Sequence, residues 1–159
     1  LLSQLKIDFP HLDVTGVEPI GPGFANFEST LSWLKKTYNF NLVKSGYEEL
    51  EDQGPFDLIF LVNVFEHLPD WRHFIDFLSS RLSAGGKCVI LCPNYGFPYE
   101  SHFGIPIVIN KAITYRIFQS KIEKFEIEND CLGLWRSLNF VRRSEVKKIA
   151  NGVGLVVSF

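Results

Sequence analysis

The sequence predicts an α/β fold, a doubly wound and mostly parallel sheet truncated at both ends. Three observations predict it. Helix-like and strand-like segments alternate along most of the chain. Two strand-like runs, FDLIFLV at 56–62 and KCVILC at 87–92, are almost continuously apolar, as strands covered on both faces are. Polar residues stand directly after successive strand-like runs, at the edge where open α/β sheets bind ligands.

The elements follow in order. Residues 1–9 read as the end of a helix stopped by Pro10. Residues 12–17 form a short strand. Asn26 is the expected N-cap of a helix running to about Tyr38, with Phe27, Thr30, Leu31, Leu34 and Tyr38 on one face. A second strand covers 40–43, and 45–54 has room for one helical turn. After the third strand, 56–62, Asp70 caps a helix whose apolar stripe is Trp71, Phe74, Ile75, Leu78 and Leu82 and which Gly85-Gly86 ends. The fourth strand is 87–92, broken by Pro93. Ser144 starts a last helix that ends near Gly152, and 154–159 is a final strand. Residues 94–142 are too long for a simple connector. They hold a helix over roughly 111–125 and read as an insert in a single domain, 1–159. The insert is expected to be a substrate lid, the alternative being a structural excursion that covers core.

Composition narrows the function. With 159 residues, 46% hydrophobic and 21% charged, the chain can bury one real core and is not a disordered tail. Sixteen Lys and Arg against eighteen Asp and Glu leave a net charge of −2, with no basic surplus for nucleic acid or an anionic membrane. No unbroken apolar run exceeds the five residues 58–62, where a membrane helix needs about 20. Three cysteines argue against a disulfide scaffold and for a reducing cytoplasm. The chain has no Met and starts at Leu1 without the features of a signal peptide, so an internal piece of a longer protein is expected. Fifteen Phe predict an aromatic-rich core or pocket.

The residues after the strands carry the candidate chemistry. Glu18 follows the first, Tyr47 and Glu48 the second, Asn63 to His67 the third, and Asn94 and Tyr95 the fourth. A carboxylate at a strand end, such as Glu18, has lone pairs for both hydroxyls of a ribose. The block FDLIFLVNVFEHLPDWRHFIDFLSSRLSAGGKCVILCPN resembles the central signature of class I S-adenosylmethionine-dependent methyltransferases, which are Rossmann-like. The same resemblance makes VTGVEP the acidic second-strand motif, SGYEEL the third-strand segment and GLVVSF the penultimate strand. It covers nearly all of the chain outside 94–142.

That resemblance implies methyl transfer from S-adenosylmethionine to a small-molecule acceptor. It implies that Glu18 holds the ribose, with Pro19 and Ile20 beside it. Tyr47 and Glu48 then border the adenine, and Asn63, Val64 and Phe65 line the cofactor near its methionine. His67 is the candidate base, since it follows a strand end and titrates near neutrality. Asn94, Tyr95, Glu100 and His102 are the candidate acceptor contacts. Glu66, His67 and His102 also come near the metal-binding pattern of some RNA-end methyltransferases. Asn63 stands where that pattern has its first Glu, so no metal is expected. His11 and His73 read as structural, and Cys88 and Cys92 as core thiols.

The family's first strand and glycine-rich loop have no counterpart in these residues. Gly21-Pro22-Gly23 is not a substitute, because Pro22 has no N–H to offer. The 159-residue piece is therefore expected to bind the cofactor poorly and to be inactive by itself. A non-catalytic Rossmann-like binding module is the alternative from another class. A nicotinamide-dependent dehydrogenase is a third reading, although it has no need of NVFEHLPD. The acceptor atom and the oligomeric state are not encoded in any motif found.

Overall fold

A computed structural model describes residues 1–19, 27–50 and 52–159. The chain divides into two units, Leu1–Asp52 and Gln53–Phe159.

In the first unit, helix α1 (Leu2–Asp8) runs into Pro10, which ends it as expected. Strand β1 (Thr15–Val17) pairs in parallel with β2 (Asn41–Val43), Thr15 opposite Asn41 and Val17 opposite Val43. Both are shorter than the runs that predicted them. Helix α2 (Phe27–Tyr38) makes the crossover, and Leu31, Leu34 and Tyr38 are its partly buried positions. Gly16 is buried in β1, and a Cβ there would lie 2.6 Å from Leu2 Cδ1, so the bare glycine lets α1 settle on the strand. A 3₁₀ turn at Tyr47–Leu50, the helical turn expected in 45–54, buries Tyr47 and Leu50. The Asn26 cap, Ile20 and Gly21-Pro22-Gly23 lie outside the described residues.

In the second unit, β3 (Phe56–Val62) matches the sequence expectation and pairs in parallel with β4 (Leu82–Leu91). Helix α3 (Trp71–Arg81) joins them. The Asp70 carboxylate caps it, accepting the Arg72 and His73 N–H groups, both at 3.0 Å. Trp71, Phe74, Ile75, Phe77 and Leu78 are its buried face. The helix does not reach Gly85-Gly86. It stops at Arg81 because Leu82 is already extended, and the glycines fall inside β4. There they make an irregularity: Phe56 faces Leu82, but Leu58 faces Lys87. Gly85 takes φ +82°, open to glycine at little cost, and a Cβ on Gly86 would sit 2.9 Å from the Phe56 carbonyl oxygen. Helix α6 (Arg143–Gly152) packs on α3, with Ala150 buried and the Ser79 hydroxyl donating to the Val153 carbonyl at 2.8 Å.

The strands depart from expectation at several points. Among the described residues the ladders stop short of a full doubly wound sheet. They form two parallel pairs, one in each unit, and a small antiparallel hairpin of β5 (Tyr99–Glu100) and β6 (Ile105–Pro106). No strand forms at 154–159, because the N–H groups of Val153, Gly154 and Leu155 turn back to carbonyls at the end of α6. The apolar runs are also not covered on both faces. Leu61 of β3 is buried, whereas Leu58, Val62, Val89 and Leu91, on the other face, are 46–61% exposed.

The 94–142 segment folds on itself. Its long helix α4 (Lys111–Glu128) begins where expected and runs slightly further, capped by Asn110 accepting the Ile113 N–H at 3.0 Å and kinked at Phe118. A short helix α5 (Leu134–Ser137) follows. Tyr95, Phe103, Ile105, Ile122, Trp135 and Leu138 form a core, with Phe125 and Phe140 packed against it. Among the described residues no helix is long and apolar enough to cross a membrane.

Because Gly86 lies between the Phe56 carbonyl and the Ser83 backbone, Gly86→Ala should destabilise the fold by about 1–3 kcal/mol. Chemical denaturation checks this, and an unchanged midpoint would mean that the β4 irregularity relaxes freely.

Candidate functional site

The site is built at the carboxyl end of the β3–β4 pair. Asn63 leaves β3 in the left-handed region at φ 53°, its N–H donating to the Leu91 carbonyl at 2.8 Å. That turn starts a 3₁₀ segment, Phe65–His67. Phe65 is 1% exposed and packs edge-on to Trp71 and Phe74, so its side chain anchors the turn in the core and is not free for a ligand. Val64 is exposed, and the turn presents Glu66 and His67 side by side.

Residues distant in sequence complete the cluster. Glu100 ends β5, and the loop between β5 and β6 carries His102. Glu100 is fully buried, and its carboxylate accepts from His102 Nδ1 at 2.6 Å, the Phe103 N–H at 2.8 Å, the His102 N–H at 3.2 Å and the Tyr95 hydroxyl at 3.3 Å. Tyr95 is held in turn by stacking on Phe140, ring centroids 4.5 Å apart. Residues 137–141 bind the turn to the insert. The Asn139 N–H donates to the Glu66 carbonyl and its side-chain amide to the Leu68 carbonyl, each at 2.6 Å. Ser137 Oγ lies 2.9 Å from His67 Nδ1. Lys111, at the start of α4, donates to the Arg136 and Leu138 carbonyls and fixes the end of α5.

The rings of His67 and His102 meet edge to face, 5.6 Å apart between centroids. Glu66 is fully buried, and neither carboxylate oxygen has a hydrogen-bond partner in the structure. The nearest charged-group approach is His102 Nε2 at 3.9 Å from Oε1. One ligand atom from each of Glu66, His67 and His102 lies within 4.8 Å of the others.

The environment sets each group differently. Burial pushes the Glu66 carboxyl up from its ordinary range, and the Glu100 charge adds to this. Burial would also raise Glu100, but the His102 ring and two backbone N–H groups outweigh it and hold that carboxyl low. The hydrogen bond to Glu100 raises His102 against the effect of burial. Burial and the His102 charge lower His67. The Cys88 and Cys92 thiols are pushed up by burial to about 12 and about 11, which fits core thiols rather than nucleophiles.

Of the other sequence-derived candidates, one more belongs to the second unit. Asn94 is exposed, its side chain accepting the Gly96 N–H at 2.9 Å. It lines an open cleft of about 360 Å³ with Gly96, Arg142, Arg143, Ser144 and Lys147, none of which belongs to the cluster. In the first unit, Glu18 follows β1 as expected and is exposed, its N–H extending the ladder to the Val43 carbonyl at 3.0 Å. Partial burial raises its carboxyl. Pro19 is exposed beside it. Tyr47 is buried, and the exposed Glu48 folds its carboxylate over Gly46. Sequence reasoning missed Ser137, for which no motif gives a signal, and gave Glu66 no role in methyl transfer.

A family described as a methyltransferase domain matches residues 3–157, and the chain belongs to it. The class I S-adenosylmethionine-dependent methyltransferase resemblance of the central block is upheld by that match. Relatives include two uncharacterized Mycobacterium tuberculosis proteins, MT1557 of strain CDC 1551 and Rv1509 of strain H37Rv. Each is 34% identical over 156 residues, covering 94% of this chain. The chain spans about half, 52%, of the length of each. No solved structure matches.

Removing the Glu100 carboxylate strands two backbone N–H groups, the Tyr95 hydroxyl and the His102 ring. Glu100→Ala should therefore cost about 3–5 kcal/mol of stability in chemical denaturation. A loss under about 1 kcal/mol would show that water replaces the carboxylate readily.

Proposed function

We propose that the full-length protein transfers the methyl group of S-adenosylmethionine to a small-molecule acceptor. The observation that carries this reading is the cluster of Glu66, His67 and His102 at the carboxyl end of parallel strands, in a chain of the methyltransferase-domain family. The family resemblance assigns residues of each unit, taken by itself, to cofactor contact. Glu18 presents an exposed carboxylate that suits the two ribose hydroxyls, and the exposed Pro19 follows it. Tyr47 and Glu48 border the adenine. In the second unit, Asn63 and Val64 are exposed on the turn assigned to the methionine portion, and Phe65 sets that turn from below.

S-adenosylmethionine supplies, when bound, a methyl group on a positively charged sulfur. The protein's own task is then to position an acceptor atom and accommodate its proton, and positioning alone is worth about 7–11 kcal/mol. His67 is partly buried, its Nδ1 is engaged by Ser137, and its lowered pKa keeps the ring neutral with a lone pair for the acceptor. His102 is 24% exposed at the cluster's rim, a position suited to touching the acceptor. Glu100 and Tyr95 hold that rim, and Asn94 borders the adjacent cleft. The insert contributes a rigid wall, since its aromatic side chains are packed on one another.

The doubly wound sheet belongs to the same proposal. Each parallel pair keeps one edge of β1 or β3 without a ladder partner among the described residues, and doubly wound sheets cover such edges. The net charge of −2 and the three free cysteines support a cytoplasmic enzyme that acts on neither nucleic acid nor membrane.

Two measurements test the reading. Glu18→Ala should weaken S-adenosylhomocysteine binding by full-length protein at least about tenfold in calorimetry, the equivalent of one charged hydrogen bond. Unchanged affinity would remove Glu18 from the site. His67→Ala should lower kcat by about 10²–10⁴ with cofactor affinity intact, and His102→Ala should raise the acceptor KM more than it lowers kcat. Wild-type constants in both variants would place the acceptor elsewhere.

A further inference from the structure

We propose that Glu66, His67 and His102 bind a divalent first-row transition-metal ion, of the class of Zn²⁺, Co²⁺ or Fe²⁺. The expectation of no metal rested on Asn63 occupying the place of a further acidic ligand. The fold makes that residue unnecessary, because a ligand arrives instead from the β5–β6 loop.

Three independent features of the cluster point to an ion. Glu66 is 0% exposed and both of its carboxylate oxygens lack hydrogen-bond partners. A buried carboxylate in that condition is costly unless a proton or a cation meets it. His102 Nε2, at 3.9 Å, is too far to hydrogen-bond. The hydrogen-bond pattern also places a proton on Nδ1 of both imidazoles. Ser137 donates its hydroxyl proton to the Leu134 carbonyl at 2.8 Å, so towards His67 its oxygen accepts, and His67 carries its proton on Nδ1. Glu100 accepts from His102 Nδ1 at 2.6 Å. Each neutral ring is left with a bare lone pair on Nε2. Metal-binding histidines are held in this way, with the remote nitrogen donating to a carboxylate or another oxygen. Finally, one possible ligand atom from each of the three residues already lies within 4.8 Å of the others. Around an ion with bonds of about 2.0–2.2 Å they would lie roughly 3–3.5 Å apart, so binding draws the set inward by about 1 Å.

The donor set selects the ion. Two imidazole nitrogens and one carboxylate oxygen suit zinc and its neighbours, whereas magnesium and calcium prefer all-oxygen sites. Three protein ligands leave a coordination position open, as catalytic sites do. An acceptor oxygen or nitrogen fits that position, where the ion would polarise it and ease the loss of its proton.

The competing account has no metal. His102 is protonated and lies as an imidazolium between Glu100 and Glu66. Titration of full-length, chelator-treated protein with Co²⁺, in the absence of cofactor and acceptor, separates the two. We expect one ion per chain and visible ligand-field absorption, lost on addition of Zn²⁺. Glu66→Gln and His102→Ala should each weaken Zn²⁺ binding in calorimetry at least tenfold. Glu100→Gln keeps every ligand but loosens His102, and should weaken binding by about 10–100-fold. His73→Ala, outside the cluster, should bind as wild type does. Absence of Co²⁺ absorption with a Zn²⁺ Kd weaker than about 100 μM overturns the site. So does wild-type affinity in whichever of Glu66→Gln and His102→Ala retains its circular dichroism. Neither result touches the methyl-transfer reading, because nothing in the titration depends on it.

Discussion

The buried Glu100 carboxylate is the constraint on which the site depends. A carboxylate removed from water must find donors, and Glu100 finds four: two backbone N–H groups, a phenol and an imidazole. Hydrogen bonds to a charged group contribute about 1.5–3 kcal/mol each when well made. Together they close the loop between β5 and β6 and fix the His102 ring in one orientation. They also tie that loop to Tyr95, whose ring is itself stacked on Phe140 in the aromatic core. One titratable side chain thus couples the insert's packing to the position of a candidate site residue.

The second coupling runs from the other side. The turn after β3 is anchored below by Phe65, and residues 137–141 grip it above through Asn139 and Ser137. Both anchors are needed. Without the core contact the 3₁₀ turn has only three residues of its own to stabilise it, and without the Asn139 bonds two carbonyls lose their partners. Glu66 lies where these constraints meet, which explains how an unpartnered carboxylate stays buried: the backbone on either side of it cannot swing out.

The insert is held together by its own side chains. Its aromatics are consumed by mutual contact, Trp135 touching Phe103, Tyr115 and Phe140, and Ile122 fully buried beneath them. Such packing leaves little open apolar space within it. The exposed apolar row of Leu58, Val62, Val89 and Leu91 belongs instead to the face of the β3–β4 pair that α3 does not bury.

By itself the sequence determined the elements whose causes are local. Asp70 capping α3, Pro10 ending α1, the start of α4 at residue 111 and the apolar run of β3 each follow from a few adjacent residues, and all appear at or near the expected places. The strand-end rule likewise located Glu18 and the Asn63–His67 turn. The end of α3 was misread because a glycine pair signals both a helix stop and a bulge, and the register against Phe56 decides between them. The absence of a strand at 154–159 had the same origin, since whether an apolar tail joins a ladder depends on a partner edge. The resemblance grouped Glu66, His67 and His102, but only the tertiary structure showed them in contact and added Ser137, which lies 70 positions beyond His67 in the sequence. A buried acid with two bare oxygens is a property of what surrounds it, and no pattern of neighbours in the chain encodes that.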